Sequence, residues 1–356
     1  MTRALPTLAL GAGVTAACLG LGEIGLRLAG FPSRAIHSIS AADYDRLPGM
    51  YEPGSFTGLI RRRGLPHDVE INRLGFRGPA PQPGSGRARV LFIGDSVTFG
   101  DHVNDADTLP AQVEAASNGA IEALNGGVAG STIVDQRVFA RRMLSLAPGL
   151  IVLVYSENDL SDLGKPEPIS AYLARNRARR SSAIASALFF GVRDLALFQL
   201  ALRARGVLEF HKLVAETPPA APTVPPALLA RYCSEVTALR ADFYARGLPL
   251  LVALYPWPET LSGRHPAPTI DLVREALAAE GMAVVDLTPA LRASGTPVEP
   301  LYLFPHDSHP SPLGYRVAAR ALAPAVVATL AELPAAAGAA ASAAPSQSAA
   351  SESPVR

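Results

Sequence analysis

Short apolar runs alternate with longer segments of helical period along most of the chain after Gly86, and this rhythm limits the fold more than any other feature. The runs are nearly all apolar, as expected of strands that are buried on both faces. The pattern predicts an α/β fold in which helices cover both sides of a parallel sheet. The expected strands are Arg89–Ile93, Ile121–Leu124, Leu150–Tyr155, Pro249–Tyr255 and Met282–Val285, and the expected helices are Leu109–Ala116, Ile133–Leu146, Ala227–Arg246, Thr269–Glu280 and Pro312–Leu330.

The residues that directly follow these strands are the first candidates for a site, because ligands of such sheets bind beyond the carboxyl ends of the strands. Ser96 follows the first strand, within the sequence Gly-Asp-Ser-Val-Thr-Phe-Gly of residues 94–100. A serine in a tight turn flanked by glycines can present its hydroxyl to the crevice and its own N–H to an oxyanion. The tripeptide Gly-Asp-Ser alone is a weak signal, since it occurs by chance in many chains.

The next two strand ends carry groups that could bind an anion. Residues 125–131 read Asn-Gly-Gly-Val-Ala-Gly-Ser, and glycine-rich turns let backbone amides approach a ligand closely. Residues 155–159 read Tyr-Ser-Glu-Asn-Asp, where Asn158 is a neutral donor that can stabilise negative charge. Taken singly, each of these groups is more typical of an ordinary turn glycine or a capping asparagine than of a site. Their coincidence at successive strand ends favours a site.

A histidine and an aspartate lie between the last predicted strand and the last predicted helix. Serine is a poor nucleophile near neutral pH and needs an imidazole to accept its proton, and a carboxylate orients that imidazole best. His309 and Asp307 supply both groups. Two histidines and an aspartate could instead bind a metal, but the sequence has no further cluster of His or Cys at ligand spacing. We therefore expect no metal and no cofactor.

These four segments, in this order, resemble the SGNH hydrolases, also called GDSL-like lipases and esterases, over roughly Arg89 to Leu330 without the insertion at 163–226. The resemblance implies a three-layer α/β/α sandwich of flavodoxin-like type with a five-stranded parallel sheet. It also implies Ser96 as nucleophile and His309 as general base. The oxyanion hole would comprise the backbone N–H groups of Ser96 and Gly130 and the side chain of Asn158. The residues expected to support the site are Asp95, Asp159 and His306.

Two positions depart from the pattern of this family. Ser156 stands where the third block usually has glycine. The acid usually lies three residues before the histidine, but that place holds His306 here, and Asp307 lies two residues before His309. The spacing resembles the Asp-x-His variant of relatives that include polysaccharide O-acetyltransferases. Asp307 is therefore assigned the orienting role.

Residues 1–22 carry a single charged side chain, Arg3, and are long enough to span a bilayer. This length favours an uncleaved single-pass N-terminal anchor, with the catalytic domain outside the cytoplasm on the periplasmic side. A cleaved signal or lipoprotein signal, with residues 15–17 before Cys18, and a buried soluble helix are the alternatives. Arg27 and Arg34 balance the positive charge of the N-terminus, so charge does not decide the orientation.

The predicted organisation is a signal anchor at 1–30, an extension at 31–87, an SGNH hydrolase domain at 88–332 and a disordered Ala/Ser/Pro-rich tail at 333–356. Residues 163–226 interrupt the strand and helix rhythm and are predicted to form an inserted helical cap. A membrane-surface amphipathic helix is the alternative, whereas Arg193 and Asp194 argue against a second span. The net charge of +1 disfavours a nucleic-acid partner.

The chemistry points to a serine esterase that forms a Ser96 acyl-enzyme. Its substrate would be an acyl ester on a small molecule, or on a carbohydrate or lipid of the cell envelope. An O-acyltransferase needs the same groups and differs in excluding water, so acetyl transfer to a polysaccharide is the alternative. A catalytically silent envelope protein that binds carbohydrate in the same crevice is a third possibility.

Overall fold

The computed structural model describes residues 4–31, 58–62, 65–72, 74, 76–82, 84–165, 182–193, 195–215, 224–263, 269–305 and 307–332. The predicted tail, and parts of the extension and of the inserted cap, lie outside these ranges. The strands are β1 (Gly58–Arg62), β2 (Leu65–Val69), β3 (Ala88–Gly94), β4 (Ile121–Gly127), β5 (Leu150–Ser156), β6 (Leu250–Tyr255) and β7 (Ala283–Asp286). The helices are α1 (Ala4–Leu28), α2 (Ser96–Phe99), α3 (Leu109–Ala116), α4 (Ile133–Arg142), α5 (Asn158–Leu163), α6 (Ala183–Arg193), α7 (Ala196–Ala215), α8 (Pro226–Tyr244), α9 (Pro258–Leu261), α10 (Thr269–Ala279), α11 (Thr288–Ala293), α12 (Val298–Leu301) and α13 (Pro312–Ala331).

The main sheet has five parallel strands in the order β4-β3-β5-β6-β7. The prediction of an α/β fold with a five-stranded parallel sheet is confirmed. The pairing is in register at the carboxyl ends, where Gly94 lies beside Gly127 on one side and Val154 on the other. The turns that follow β3, β4, β5 and β6 therefore emerge along one edge of the sheet.

Strand β3 shows how the sheet joins the two helical layers. Val90 and Phe92 belong to one hydrophobic cluster, with residues of α3 and α13, whereas Leu91 and Ile93 belong to the other, with residues of α4, α8 and α10. All four side chains are fully buried. Burial of such a side chain stabilises the fold by about 1.5–3 kcal/mol. The three-layer α/β/α arrangement follows from this alternation.

Arg77 attaches the N-terminal extension to the sheet edge. Strands β1 and β2 form an antiparallel hairpin, and the chain then reaches Arg77, whose side chain is 1% exposed. Its guanidinium pairs with Asp105 at 2.6 Å and donates to the carbonyls of Phe99, Gly100 and Val103. These three carbonyls belong to the segment that begins with Ser96. The extension thus supports the first strand end.

The N-terminal helix α1 has 25 residues and is therefore roughly 37 Å long. Its side chains from Leu10 to Leu21 are exposed, and its described contact with the rest of the chain is to α7. The two carboxylate oxygens of Glu23 accept hydrogen bonds from the backbone N–H groups of Ala196 and Leu197, at 2.9 and 3.0 Å. A carboxylate at this position stabilises the N-terminus of α7.

Among the described residues, helix α13 is also long and apolar enough to cross a membrane by length and composition alone. It packs on the sheet through Tyr315, Ala318 and Leu322, which are fully buried. This burial makes α13 a helix of the core.

Candidate active site

Ser96 lies just beyond the carboxyl end of β3, in a turn whose close packing requires glycine at positions 94 and 127. A Cβ atom on Gly94 would lie 2.1 Å from Thr98 Oγ1, and one on Gly127 would lie 2.2 Å from the backbone N of Phe99. The φ angle of Gly94 is +155°, which L side chains rarely adopt. The absence of these two side chains lets α2 pack directly against the ends of β4 and β5.

The structure brings the predicted nucleophile, base and acid together across 213 residues of sequence. Ser96 Oγ lies 2.9 Å from His309 Nε2. His309 Nδ1 is hydrogen-bonded to Asp307 Oδ1, which also accepts the backbone N–H of His309 at 3.0 Å. A shift of one residue in the acid, relative to the usual spacing, therefore still leaves the carboxylate behind the imidazole.

Asp307 raises the proton affinity of His309. Burial on its own would lower the pKa of His309, but its hydrogen bond and charge interaction with Asp307 outweigh burial, and the pKa is raised above its ordinary 6.5. Burial would likewise raise the pKa of Asp307, whereas hydrogen bonds from His102 and His309 hold it well below its ordinary value. Asp307 is therefore ionised at neutral pH and stabilises a protonated His309.

Asn158 lies at the cavity beside Ser96, but both hydrogens of its amide are already engaged. Nδ2 donates to Asp95 Oδ2 at 2.8 Å and to Asp162 Oδ2 at 3.0 Å, and Oδ1 accepts from Ser156 Oγ at 2.7 Å. Asp95 Oδ2 is itself 3.5 Å from Ser96 Oγ. The side chain therefore reaches the predicted oxyanion region, and it can donate to a substrate oxygen when one of the two carboxylate bonds is released.

The loop that contains Gly130 is attached to the other side of the same turn. The N–H of Val128 donates to the carbonyl of Gly94 at 3.0 Å, and Ser131 Oγ donates to the same carbonyl at 3.3 Å. Gly130 has φ +78°. It is not among the described residues that line the cavity at Ser96, so its role as an oxyanion donor stays a prediction.

A cavity of about 200 Å³ opens at Ser96 and His309. Aromatic and proline side chains form much of its wall. The described residues that line it are Ser96, Val97, Ser156, Asn158, Tyr255, Pro256, Trp257, Tyr302, Ser308, His309 and Pro310. No described residue of α6 or α7 is among them, so the role of the insertion as a cap stays a prediction. A second cavity of about 170 Å³, between the N-terminal extension and β4, contains none of the candidate catalytic residues.

A model of the GDSL-like Lipase/Acylhydrolase family matches residues 92–317, which is more than half of the chain. The chain belongs to this family. It is accordingly a hydrolase that acts on ester bonds. No curated protein matches the chain.

Solved structures that are similar to this acylhydrolase match it at low identity. One is a protein described as lipolytic and of the G-D-S-L family from Desulfitobacterium hafniense, at 19% identity and a TM-score of 0.40, with 67% of this chain and 99% of the other covered. Another is a catalytic mutant of an acetylxylan esterase from Geobacillus stearothermophilus, at 16% identity and a TM-score of 0.38, with 66% and 92% covered.

A second histidine of this acylhydrolase contacts the predicted acid and was not recognised in the sequence. His102 Nε2 lies 3.5 Å from Asp307 Oδ2, and the side chains are 3% and 2% exposed. The rings of His102 and His309 meet edge to face, with centroids 5.7 Å apart. His102 has φ +68°, so an unusual backbone conformation directs it to this position. A lone histidine six residues after a serine gives no sequence signal for such a contact.

The three residues His102, Asp307 and His309 form the group of described side chains whose ligand atoms, within 4.8 Å of one another, could hold a metal ion. Each of the two imidazoles faces a different oxygen of the same carboxylate. The group is thus arranged as a hydrogen-bonded chain that leads to Ser96. The prediction that the site binds no metal stays a prediction.

Two of the three predicted supporting residues lie beneath the site, and the third, His306, is outside the described residues. Asp95 is fully buried, and its Oδ1 accepts the N–H of Val97 at 2.9 Å, which fixes the turn at Ser96. Burial raises the pKa of Asp95 despite hydrogen bonds from Asn158 and Val97. Asp159 is 1% exposed and accepts the N–H of Ser156 at 3.0 Å.

Proposed function

We propose that the chain is a serine esterase in which Ser96 forms an acyl-enzyme. Ser96 Oγ attacks the acyl carbonyl while its proton passes to His309 Nε2, and the protonated imidazole then protonates the leaving alcohol. Water, deprotonated by the same imidazole, cleaves the Ser96 ester and restores the hydroxyl. The observation that carries this proposal is the 2.9 Å distance between Ser96 Oγ and His309 Nε2, with Asp307 hydrogen-bonded behind the imidazole.

The negative charge of the tetrahedral intermediate would be stabilised by the N–H groups of Ser96 and Gly130 and by Asn158. Donors aimed at the developing oxyanion contribute most when they are fixed before the reaction. The oxygen of the Asn158 amide is held by Ser156 and its nitrogen faces Asp95 beside Ser96, which supports this role once one bond to a carboxylate is exchanged for the oxyanion. Loss of one such donor typically lowers kcat by about 10²–10³-fold.

The size of the cavity favours a short acyl group. Its volume of about 200 Å³ is below the roughly 300–1,000 Å³ of pockets that enclose drug-sized ligands. An acetyl or similarly small ester fits this volume, with the alcohol part outside. We assign the alcohol to a carbohydrate or lipid of the cell envelope, in accord with an anchored enzyme.

Covalent labelling of the purified full chain tests the nucleophile. A fluorophosphonate probe should label the wild type and hydrolysis of p-nitrophenyl acetate should be measurable, and Ser96→Ala should abolish both. Ser161→Ala is the control, because Ser161 Oγ is exposed and its described hydrogen bond is to the carbonyl of Asn158. Labelling that survives in Ser96→Ala removes Ser96 from the mechanism, and an unlabelled wild type would favour a silent binding protein.

Acyl transfer is the second candidate, favoured by the Asp-x-His spacing of Asp307 and His309. In transfer, a sugar hydroxyl attacks the acyl-enzyme in place of water, and its proton returns through His309 to Ser96. Acetylation of an added polysaccharide faster than hydrolysis would decide for transfer. Hydrolysis without acetylation of the polysaccharide would support the esterase and count against acyl transfer.

We assign residues 1–30 as a single-pass membrane anchor, with the hydrolase domain of 88–332 on the periplasmic side. Two features support a bilayer here. The side chains of α1 are exposed on all sides from Leu10 to Leu21. Helix α6 of the insertion carries a stripe of exposed apolar side chains, Ile184, Leu188 and Val192, at helical spacing. We assign this stripe to the membrane surface beside α1.

A further inference from the structure

The amide of Asn158 has a defined orientation because of what surrounds it. Its nitrogen faces two carboxylates, Asp95 and Asp162, which only accept hydrogen bonds, and its oxygen faces the hydroxyl of Ser156. A flipped amide would set its oxygen against both carboxylates. Ser156 therefore donates its single hydroxyl hydrogen to Asn158 Oδ1, at 2.7 Å.

Ser156 in turn accepts a hydrogen bond from Trp257. The indole Nε1 lies 3.1 Å from Ser156 Oγ, and an indole N–H can only donate. Trp257 is also held at its backbone, where its N–H donates to Glu157 Oε1 at 2.9 Å. The direction of the chain is therefore fixed, from Trp257 through Ser156 to Asn158.

This chain of hydrogen bonds joins two neighbouring strand ends. Ser156 is the last residue of β5 and is fully buried, whereas Trp257 follows β6, borders the cavity and is 40% exposed. The family usually has glycine at the position of Ser156, and glycine has no hydroxyl with which to hold the amide. Hydrogen bonds in series polarise one another, so the outer donor strengthens the inner bond.

We propose that Ser156 and Trp257 are positioning residues that hold the Asn158 amide with its oxygen on Ser156 and its nitrogen toward Asp95, beside Ser96, so that one N–H can exchange a carboxylate for the oxyanion. The inference rests on the proposed esterase function. Because the amide oxygen stays on Ser156 while one N–H exchanges a carboxylate for the oxyanion, the amide does not have to flip when charge develops on the substrate oxygen. The two residues should therefore act on kcat rather than on KM. Their effect passes through Asn158 and requires its side chain.

Steady-state hydrolysis of p-nitrophenyl acetate by the full chain in detergent tests this. Ser156→Ala should lower kcat by about tenfold with KM changed by less than about twofold, the size expected for one hydrogen bond. Trp257→Phe, which keeps a ring but loses the N–H, should give a smaller loss of the same kind. In the Asn158→Ala background, Ser156→Ala should cost nothing further, and Trp257→Phe should cost nothing further in the Ser156→Ala background. Ser161→Ala is the matched control on α5.

Equal losses from Ser156→Ala with and without the Asn158 side chain would overturn the proposal, since a purely structural effect is additive. An unchanged kcat in Ser156→Ala would also overturn it, as would a full kcat in Asn158→Ala. If Ser156→Ala does not fold, as judged by its thermal melt, the comparison of Trp257→Phe with and without Asn158 gives the same decision. Fluorophosphonate labelling of Ser96 in each variant reports separately on the esterase itself, so failure of the two proposals can be told apart.

Discussion

The carboxylate of Asp307 is contacted by two imidazoles, with His309 at Oδ1 and His102 at Oδ2. Both contacts favour the ionised carboxyl and outweigh the cost of its burial. A carboxylate held from both sides cannot rotate away from His309. The acid can therefore orient the base although it lies only two residues before it in the chain.

The pH dependence of hydrolysis should reflect the pKa of His309. The imidazole must be neutral to accept the proton of Ser96, and its pKa lies above 6.5 because Asp307 outweighs burial. We expect kcat/KM to rise with pH to a plateau, with its midpoint above 6.5. In Asp307→Asn the charge is lost and burial dominates, so the midpoint should move to lower pH while the plateau falls by roughly 10³-fold or more.

Profiles of kcat/KM from pH 5 to 9 for wild type and Asp307→Asn check this expectation. Asp271→Asn, an exposed acid on α10, serves as the control and should reproduce the wild-type profile. A midpoint in Asp307→Asn that is unchanged or higher would mean that Asp307 is not the acid paired with His309.

Sequence reasoning predicted Ser96, Asp307 and His309 because serine chemistry needs these groups, and the structure brings the three side chains within hydrogen-bonding reach of one another. The same reasoning did not find His102 or Trp257. The position of His102 depends on its left-handed backbone conformation, and Trp257 meets Ser156 only because β5 and β6 are neighbours in the sheet. Contacts of this kind are created by the tertiary fold and leave no local pattern.

At the scale of elements, all five strands of the sheet were predicted, because each is a short apolar run between longer segments of helical period, and this holds even for β7, which is only partly buried. The strand ends were less well predicted. Strand β4 was expected to end at Leu124 but continues to Gly127, since residues 125–127 pair with 92–94 of β3. Glycine and asparagine have low strand propensity, and pairing with the neighbouring strand overrides it.

The junction of β5, α5 and α4 contains a buried acid whose charge state affects stability. Asp159 Oδ1 and Gln136 Oε1 are buried and have no hydrogen-bond partner among the described residues. The side chain of Gln136 and the backbone N–H of Ser156 both favour the ionised form of Asp159. Burial, with the nearby charge of Asp95, raises the pKa of Asp159 well above its ordinary value. The neutral form is therefore the one that the fold favours.

Replacement of this acid by its neutral isostere tests that description. When the native pKa of an acid is raised, the fold is fully stabilised at pH values below the unfolded pKa of about 3.9. This stabilisation is lost as the pH rises toward the native pKa. Asp159→Asn does not titrate and has nearly the same shape. Its free energy of unfolding relative to wild type should therefore increase between pH 5 and pH 8, by at most about 1.4 kcal/mol per pH unit. Urea denaturation at several pH values measures it, and a difference that stays constant or falls would mean that Asp159 is charged in the native state.

At the scale of the whole molecule, the N-terminal helix and the insertion meet although about 170 residues separate them in sequence. Glu23 lies near the end of an apolar helix, where sequence analysis gave it no role, and it accepts hydrogen bonds from the first residues of α7. Arg203 of α7 lies over the ring of Phe31, so the two segments run in the same direction. Helix α6 directly precedes α7 in the chain, so the end of α6 lies near Glu23. At this depth α1 would leave the bilayer.

If α1 spans the bilayer and α6 lies on its surface, tryptophans at their exposed apolar positions should contact lipid. The chain has a single tryptophan, so Trp257→Phe gives a background without one. In that background, Leu21→Trp and Leu188→Trp should be quenched by vesicles of brominated lipid, whereas Tyr244→Trp, 74% exposed at the end of α8, should not. Quenching at position 21 but not at position 188 would support α1 as the anchor and show that α6 is exposed to water rather than bound to the membrane surface. Quenching at neither position would remove the membrane from the proposal, and Ser96 labelling in the same samples would show whether the hydrolase remains intact without it.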